Sequence, residues 1–278
     1  MTRRSMENIV VFGKGGIGKS TIAANLSAVY ARKGSKVLHV GCDPKHDSTM
    51  SLVAGDPIET FMEKYGKVFG VKDRGALKAE DILTKGRHGI DCIEAGGPEP
   101  GVGCAGRGIS LMLESFEELG IMKGGRYDIG MFDVLGDVVC GGFAAPLRKG
   151  FAEKIVIVVS EELMALYAAN NIAKSVRTYS SNGVYLVGLV ANLKDGETDR
   201  SRLNRFARII GTRILEFVPR DPAVRKAEFA RSGTTVERSP DAPFSKSIRS
   251  LADKIAKVRK ERCPVPTPMD DKRFYGKW

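Results

Sequence analysis

The chain has 278 residues, 42% of them hydrophobic, and a formal net charge of +11 at pH 7. A chain of this length can bury one large core. It holds no apolar run near the roughly 20 residues that cross a bilayer, and residues 1–8 are too short and polar for a signal peptide. Five cysteines, an odd number, favour a reducing compartment. We therefore expect a cytoplasmic protein that does not bind membranes.

Six apolar runs indicate β-strands, and stretches with helical spacing separate them. In chain order the runs are residues 9–12, 37–40, 91–95, 129–132, 155–159 and 185–191. Such alternation is typical of parallel strands with helices packed on them, so the sequence predicts an α/β fold with a mostly parallel sheet flanked by helices on both faces. Ligands of these folds bind at the carboxyl ends of the strands.

The end of the chain has a different pattern. A basic helical pattern covers residues 245–262, and prolines at alternate positions then exclude a helix over residues 263–269. We predict one domain, residues 1–262, followed by an extended C-terminal tail, residues 263–278. The tail is either disordered or an arm that packs across a dimer or onto a partner.

A phosphate-binding loop joins the first predicted strand to the helical pattern behind it. Residues 13–20, GKGGIGKS, fit G-x-x-x-x-G-K-S in the strand–loop–helix context that this motif requires. The backbone N–H groups would surround the β-phosphate, Lys19 would reach the β- and γ-phosphates, and the Ser20 hydroxyl would ligate Mg²⁺. The alternative is a glycine-rich turn with an incidental lysine. The motif predicts MgATP binding by Gly13, Lys14, Gly15, Gly16, Gly18, Lys19, Ser20 and Thr21.

Lys14 is a second lysine in this loop, which makes the loop a two-lysine, or deviant, Walker A motif of a P-loop NTPase. One ammonium is normally enough for the phosphates. Lys14 lies at the open lip of the loop, from where it would reach a nucleotide in a second subunit across a symmetric interface. A solvated surface lysine is the alternative. The second lysine therefore favours a homodimer.

Two cysteines are set among glycines rather than in strands. Cys104 lies in GVGCAGRG and Cys140 in DVVCGG, and a helical pattern follows each, whereas Cys42 and Cys92 lie in apolar strands. Bare backbone N–H groups and a helix N-terminus stabilise a thiolate, so Cys104 and Cys140 are either redox-active or metal ligands. Two chains related by a two-fold axis would supply four thiolates to one [4Fe-4S] cluster. A disulfide between the two cysteines is the alternative.

The sequence resembles the iron protein of nitrogenase and its relatives. The matching blocks are GKGGIGKS, GCDPKHDST, GGPEPGVGCAGRG and DVLGDVVCGGF, and the likeness spans nearly the whole chain. The resemblance implies a homodimeric, ATP-dependent one-electron donor with one [4Fe-4S] cluster between its subunits. It also implies a larger catalytic partner and an upstream electron donor of the ferredoxin or flavodoxin type.

The resemblance also implies roles for single positions. Lys14 resembles the family's signature lysine, Asp43 and Asp47 resemble the switch I carboxylates near Mg²⁺ and the γ-phosphate, and Asp133 resembles the Walker B acid. A change at the γ-phosphate would move Asp133 and Asp137, and the cluster ligand Cys140 would respond. The remaining implied positions are nucleotide-base contacts at Asn192, Pro219, Arg220 and Asp221, the cluster ligands Cys104 and Cys140, and a docking-surface arginine, Arg107.

Net charge bears on the choice of partner. The familiar nitrogenase iron proteins are acidic, whereas this chain carries 44 basic and 33 acidic residues. KHD at residues 45–47 resembles the protochlorophyllide branch and GVGCAGR at residues 101–107 resembles nitrogenase. This mixed signature favours a nitrogenase-like catalytic protein outside these branches, and methylthio-alkane reductase is the first choice. The basic surplus implies an acidic docking face on that partner. Nitrogenase itself and tetrapyrrole reductases such as dark-operative protochlorophyllide reductase are the alternatives.

A second class of protein shares several of these features. Chromosome-partitioning and division-site ATPases also have the two-lysine loop and the dimer, and a basic surface would suit DNA. The glycine-set cysteines argue against this class, and the basic residues are dispersed rather than gathered in one stripe. Iron–sulfur carriers of the same ATPase class resemble each other in a C-x-x-C pair, which this chain lacks. We expect no nucleic-acid partner.

Overall fold

The computed structural model describes residues 6–70, 77–97, 105–123, 125–136, 145–147, 151–194 and 199–276. Eight strands within these ranges form one sheet. They are β1 (Glu7–Phe12), β2 (Val37–Cys42), β3 (Thr84–Lys85), β4 (Asp91–Glu94), β5 (Ile129–Val134), β6 (Lys154–Val159), β7 (Tyr185–Asn192) and β8 (Ile214–Val218). Their order across the sheet is β3-β4-β2-β5-β1-β6-β7-β8. Neighbouring strands are parallel except β3 and β4, which confirms the predicted mostly parallel sheet.

Helices pack on both faces of this sheet. The described α-helices are α1 (Lys19–Arg32), α2 (Phe61–Gly70), α3 (Ala79–Ile82), α4 (Ala105–Glu118), α5 (Leu163–Thr178), α6 (Arg200–Ile209), α7 (Pro222–Ala230), α8 (Thr235–Arg238), α9 (Pro243–Lys257) and α10 (Asp271–Tyr275). Successive strand residues point to opposite faces, so Val10 and Phe132 pack with α4, α5 and α6, while Ile9 and Met131 pack with α1 and α9. Full burial of each such side chain contributes about 1.5–3 kcal/mol to stability.

All six predicted strands are present, with ends that differ from the prediction by one or two residues. Asp133 lies inside β5, one residue before the strand ends. Strands β3 and β8 were not predicted. β3 has only two residues, and β8 is a half-buried edge strand whose apolar run is interrupted by Glu216.

The C-terminal region differs from its prediction in two places. The helix expected over residues 245–262 is α9, which begins at Pro243 and ends at Lys257, and a 3-10 turn, Lys260–Arg262, follows it. Pro243 can begin the helix because the first helical position needs no N–H partner. Residues 264–270 have no regular structure, as predicted, but the short helix α10 follows them.

The described part of this C-terminal segment packs against its own chain. Asn170 of α5 donates its Nδ2–H to the Met269 carbonyl and accepts the Met269 N–H, both at 2.8 Å. Thr267 donates its N–H to the Ile210 carbonyl at 2.9 Å, and Phe274 is buried against the ring of Tyr167. Residues 267–274 therefore cover α5 and the end of α6 in the same subunit.

Candidate functional site

The carboxyl ends of the parallel strands meet at one edge of the sheet, and most of the described candidate residues lie there. Strand β1 leads into the phosphate-binding loop, residues 13–18, and helix α1 begins at Lys19. Strand β2 leads into residues 43–49, which we call the switch I loop, while β5 holds Asp133 and β7 ends at Asn192. Parallel pairing of these strands thus assembles one site from four distant segments.

Helix α1 presents an N-terminus that is suited to an anion. Its N-cap is Gly18, in the left-handed region at φ 93°, with no side chain to cap the helix, and its first turn contains no acidic residue. The first N–H groups of a helix lack intrahelical partners and carry a partial positive charge. Here a lysine, Lys19, adds to that charge instead of offsetting it. A phosphate at this position would accept hydrogen bonds from those N–H groups and would offset the positive charge of the helix N-terminus and Lys19.

The end of β7 holds the phosphate-binding loop in place. Asn192 donates its Nδ2–H to the Ile17 carbonyl at 2.8 Å. A Cβ at Gly18 would lie 2.5 Å from Asn192 Nδ2, so the close approach requires glycine there as much as the positive φ does. Asn192 therefore contacts the phosphate-binding loop itself. The family resemblance implies a further contact, to the nucleotide base.

Lys19 and Asp133 form a buried pair of opposite charges behind the loop. Both side chains are almost fully buried. Burial raises the pKa of the Asp133 carboxyl, while the nearby Lys19 ammonium and the hydroxyls of Ser20 and Ser48 oppose that rise. Asp133 Oδ2 accepts the Ser48 hydroxyl at 2.7 Å, and Oδ1 has no hydrogen-bond partner within the described ranges.

The two predicted switch I carboxylates lie on the same loop in different surroundings. Asp43 is half-buried and accepts the Lys45 N–H at 2.9 Å through Oδ1. Asp47 is exposed and lines a cleft of about 270 Å³ together with Ser20, Thr21 and Ser48. Both carboxylates therefore lie in the loop that contacts Asp133, and Asp47 lies at the cleft.

A second cleft, of about 470 Å³, lies on the other side of the loop. Asp221 caps helix α7 by accepting the Ala223 N–H at 2.9 Å, and its second oxygen accepts the Phe244 N–H at 3.1 Å. Arg220 donates to the Lys194 carbonyl at 3.2 Å. The cleft brings together Gly16, Gly18, Thr21, Asn192, Pro219, Arg220, Asp221 and Glu228. The cleft thus contains three of the predicted phosphate contacts, Gly16, Gly18 and Thr21, together with all four predicted base contacts.

Lys14 is half-buried at the lip of the loop. Its charge acts on Glu162, on the segment between β6 and α5, and helps to lower the pKa of that carboxyl after the larger effect of Lys194. The two residues that follow Glu162, Leu163 and Met164, are exposed apolar side chains. Lys14 is therefore close enough to Glu162 for the two charges to interact.

The predicted cluster ligands Cys104 and Cys140, and Asp137 with them, lie outside the described residues. Helix α4 begins directly after Cys104, as the sequence predicts, and Arg107 is exposed in its first turn. The first residues described after Cys140, Ala145–Leu147, form a 3-10 turn instead of the start of the expected helix. Within the described ranges, no group of three or more His, Cys, Asp or Glu side chains is arranged to hold a metal ion.

The three other cysteines are accounted for. Cys42 and Cys92 are fully buried in β2 and β4, as predicted, and burial raises the pKa of both thiols. Cys263 lies in the C-terminal segment, where its thiol donates to the Arg259 carbonyl at 3.6 Å. A thiol with a raised pKa is a poor metal ligand.

Several residues of the site were not predicted. Glu228 accepts the hydroxyl of the predicted residue Thr21 at 3.0 Å, and Ser48 contacts Asp133 directly. Glu94 is fully buried at the end of β4, where its Oε1 accepts the Thr49 N–H at 2.7 Å. Gly41 pairs with Glu94 on one side and with Asp133 on the other, and a Cβ at position 41 would collide with the Glu94 carboxyl. Glu94 could have been found from the sequence, because it is an acidic residue within the apolar run of residues 90–95.

None of the helices in the described ranges combines the length and the apolar character needed to cross a membrane.

A family model described as 4Fe-4S iron sulfur cluster binding proteins, NifH/frxC family, matches residues 7–275. The chain belongs to this family. The match confirms the resemblance at the level of the family, a group of P-loop ATPases, and it includes both described clefts as well as the positions of Cys104 and Cys140.

Solved structures of other proteins share the fold. The septum site-determining protein MinD of Pyrococcus horikoshii OT3, complexed with Mg-ADP, is 20% identical, with a TM-score of 0.69 over 91% of this chain and 96% of that one. A ParA family ATPase from Chlorobium tepidum TLS is 18% identical, with a TM-score of 0.68 over 89% and 98%. Cobyrinic acid a,c-diamide synthase from Mycobacterium smegmatis, with a bound ATP analog and magnesium, is 18% identical, with a TM-score of 0.66 over 95% and 100%. These similarities show a P-loop NTPase fold.

Substitutions of the two lysines of the loop should have different effects on ATP binding and ATP hydrolysis. Lys19→Gln removes a buried charge beside the phosphates, so we expect ATP affinity and ATP hydrolysis to fall by on the order of 100-fold. If the target of Lys14 is in the other subunit, as the resemblance implies, Lys14→Gln should leave affinity near wild type and lower hydrolysis by a similar factor. Calorimetric ATP binding and steady-state hydrolysis measure the two effects, with Lys257→Gln, at an exposed residue of α9, as the control. Equal loss of affinity in both variants would mean that Lys14 acts within its own subunit.

Glu94 should make stability depend on pH. Burial raises its pKa to about 8, while the hydrogen bonds from Thr49 oppose the rise. The folded state therefore holds this proton more tightly than the unfolded state, and the stability that the proton contributes is lost as pH rises from about 4.5 to about 8.

Glu94→Gln removes this dependence, because the amide stays neutral. Between pH 5 and pH 8 we expect the wild type to lose stability relative to Glu94→Gln by about 1.4 kcal/mol per pH unit. Urea unfolding of both proteins at several pH values gives the difference, and exposed Glu80→Gln is the control. A constant difference across this range would contradict the prediction.

Proposed function

We propose that the protein is a homodimeric, ATP-dependent electron donor that passes single electrons from a [4Fe-4S] cluster to a larger catalytic protein. The observation that carries the proposal is the arrangement of the cysteines. Three of the five are buried in strands or lie in the C-terminal segment, and the strands that precede the other two, β4 and β5, end at the edge that holds the phosphate-binding loop. This supports a link between nucleotide and cluster.

The described residues suit MgATP. The uncapped N-terminus of α1, with Lys19 at its first position, suits the phosphates, and Ser20 would ligate the metal ion. The buried Oδ1 of Asp133 is an acceptor for a water bound to Mg²⁺. Asn192, Arg220 and Asp221 line the cleft that would hold the nucleoside. When bound, MgATP supplies the free energy and the γ-phosphate whose presence or loss the switch I loop distinguishes.

The chemistry of the donor set suits an iron–sulfur cluster. Cys104 directly precedes α4, whose first turn contains Arg107 and no acidic residue, so a thiolate there meets the positive end of a helix. Cys140 follows Asp133 by seven positions in the chain. Two thiolates from each of two subunits complete a four-thiolate set. When bound, the cluster supplies the single electron that is transferred.

A second copy of the chain is part of the proposal. Lys14 interacts electrostatically with Glu162, and the two residues that follow Glu162, Leu163 and Met164, are exposed apolar side chains. Apolar groups beside paired charges suit an isologous contact, in which each Lys14 would reach the partner's nucleotide.

The partner proposed first is a methylthio-alkane reductase, with nitrogenase itself and tetrapyrrole reductases as alternatives. The basic surplus of the chain suits an acidic docking face, and a ferredoxin or flavodoxin-type protein would supply the electron. The likeness to MinD and ParA family proteins reaches the fold alone, so it does not favour a DNA-binding switch. A colourless, iron-free protein after anaerobic purification would favour a DNA-binding switch.

Iron content tests the cluster proposal. We expect the anaerobically purified wild type to hold about four iron atoms per dimer. Cys104→Ala and Cys140→Ala should lose this iron and still bind ATP, because the described residues that line the two clefts come from other segments of the chain. Cys42→Ala is the control: it should keep the iron and lose about 1–2 kcal/mol of stability through truncation of a buried side chain. Full iron in the Cys140→Ala protein would refute the ligand assignment.

Salt dependence tests the docking proposal. Attraction between exposed charges decays over about 8 Å at physiological salt, so electron transfer to the catalytic component of a methylthio-alkane reductase should slow as salt rises. Arg107→Glu should slow it further while iron and ATP binding stay unchanged. Arg259→Glu makes the same charge change at an exposed residue after α9, at the amino end of the sheet, and should have little effect. Equal effects of the two variants would place the docking surface elsewhere.

A further inference from the structure

A row of three buried hydrogen bonds connects helix α1 to Asp133. Ser27 of α1 contacts His39 Nδ1 with its hydroxyl at 2.8 Å, and His39 Nε2 contacts the Ser48 hydroxyl at 2.9 Å. Ser48 in turn contacts Asp133 Oδ2 at 2.7 Å. None of the four side chains is more than 2% exposed. The row crosses from the helix behind the phosphate-binding loop, through β2, to the switch I loop and β5.

The charge at Asp133 fixes the direction of every bond in this row. The Ser48 hydroxyl has one proton and donates it to Asp133, so it can only accept from His39. His39 must therefore carry its proton on Nε2. A neutral imidazole then has no proton on Nδ1, which accepts the Ser27 hydroxyl. All three protons point toward the carboxylate, an arrangement in which each bond strengthens the next.

His39 is neutral in this position. Complete burial lowers the pKa of its ring to about 3, against a smaller opposing effect of Ser48. A neutral ring donates at one nitrogen and accepts at the other, which is what the row requires. An imidazolium would donate at both nitrogens and would reverse the bond to Ser27.

Packing does not explain the histidine. On the two neighbouring strands His39 pairs with Cys92 and Met131, and this face of the sheet packs against apolar side chains of α1 and α9. An apolar side chain would suit such a position, whereas a buried imidazole costs free energy unless both nitrogens are paired. The row of hydrogen bonds therefore indicates that His39 has a role at the other end of the row, at Ser48 and Asp133.

We infer that His39 is a positioning residue for ATP hydrolysis, which aims the Ser48 hydroxyl at Asp133 and so fixes the switch I loop to the Walker B strand. The inference rests on the ATP-hydrolysing part of the proposed function. Ser48 lies between Asp47 and Thr49 in the switch I loop. Without the donor on His39, the Ser48 hydroxyl loses the bond that fixes its orientation, and Asp133 loses a held donor in a buried site.

Kinetics of three variants test this role. In full-length dimeric protein, His39→Leu should lower kcat for ATP hydrolysis by about tenfold with KM nearly unchanged. His39→Gln should restore most of kcat, because a side-chain amide can donate to Ser48 and accept from Ser27. Leu38→Ala is the control: it lies next to His39 on the same strand, faces the opposite core, and should lose stability without changing kcat. A wild-type kcat in His39→Leu, or equal losses in the Leu and Gln variants, would overturn the inference.

A second measurement keeps the test independent of hydrolysis. In protein labelled with ¹⁵N-histidine, the signals that His39→Gln removes should show Nε2 protonated and Nδ1 unprotonated at pH 7. Ser27→Ala combined with His39→Leu should cost no more kcat than His39→Leu alone, because both act in one row. An Nδ1–H tautomer, or additive losses, would refute the inference. A wild type without any ATPase activity would refute the proposed function, while the tautomer would still decide whether the row exists.

Discussion

A buried carboxylate at the carboxyl end of β5 sets the terms for the rest of the site. An ionised side chain without partners inside a protein is too costly to keep, so Asp133 requires a counter-charge and hydrogen-bond donors. Lys19 supplies the charge from the start of α1, and Ser48 supplies a donor from the switch I loop. Three chain segments that are far apart in sequence thereby meet at one side chain. Whatever moves one of these segments changes the surroundings of the other two.

The phosphate-binding loop leads into a helix N-terminus whose positive charge is not balanced by its own first turn. Helix α1 begins with a lysine and lacks a side-chain cap, so its N-terminus gathers positive charge that nothing in its own first turn offsets. The helix is kept by its packing, since most of its residues from Ile22 to Tyr30 are buried against the sheet. The packed body of the helix thus holds its unsatisfied N-terminus at the edge of the sheet where the switch I loop also lies.

The sequence predicts the parts of this structure that local patterns determine. The six long strands follow from apolar runs, and the phosphate-binding loop follows from glycine spacing in a strand–loop–helix context. Edge strand β8 and helix α10 were missed because Glu216 breaks one apolar run, and five residues are too few for a helical period in the other. Ser27, His39 and Ser48 could not be predicted, because their contacts depend on the register of β2 against β5 and on how α1 packs across it. No local pattern contains that information.

The neighbours of Asp133 have a further property in common. Burial lowers the pKa of His39 to about 3 and raises that of Glu94 to about 8, so at neutral pH both side chains are mainly uncharged. They lie on the same face of the sheet, His39 on β2 and Glu94 on β4. The charges of Lys19 and Asp133 therefore act on each other with little competition from the groups beside them. His39 and Glu94 both hold the switch I loop, one at the Ser48 hydroxyl and the other at the Thr49 N–H. His39 keeps one protonation state across the physiological range, so its bond to Ser48 does not change with pH, whereas the Glu94 contact changes as pH approaches 8. At the Ser48 end of the loop, a nucleotide at α1 therefore acts through hydrogen bonds and backbone positions.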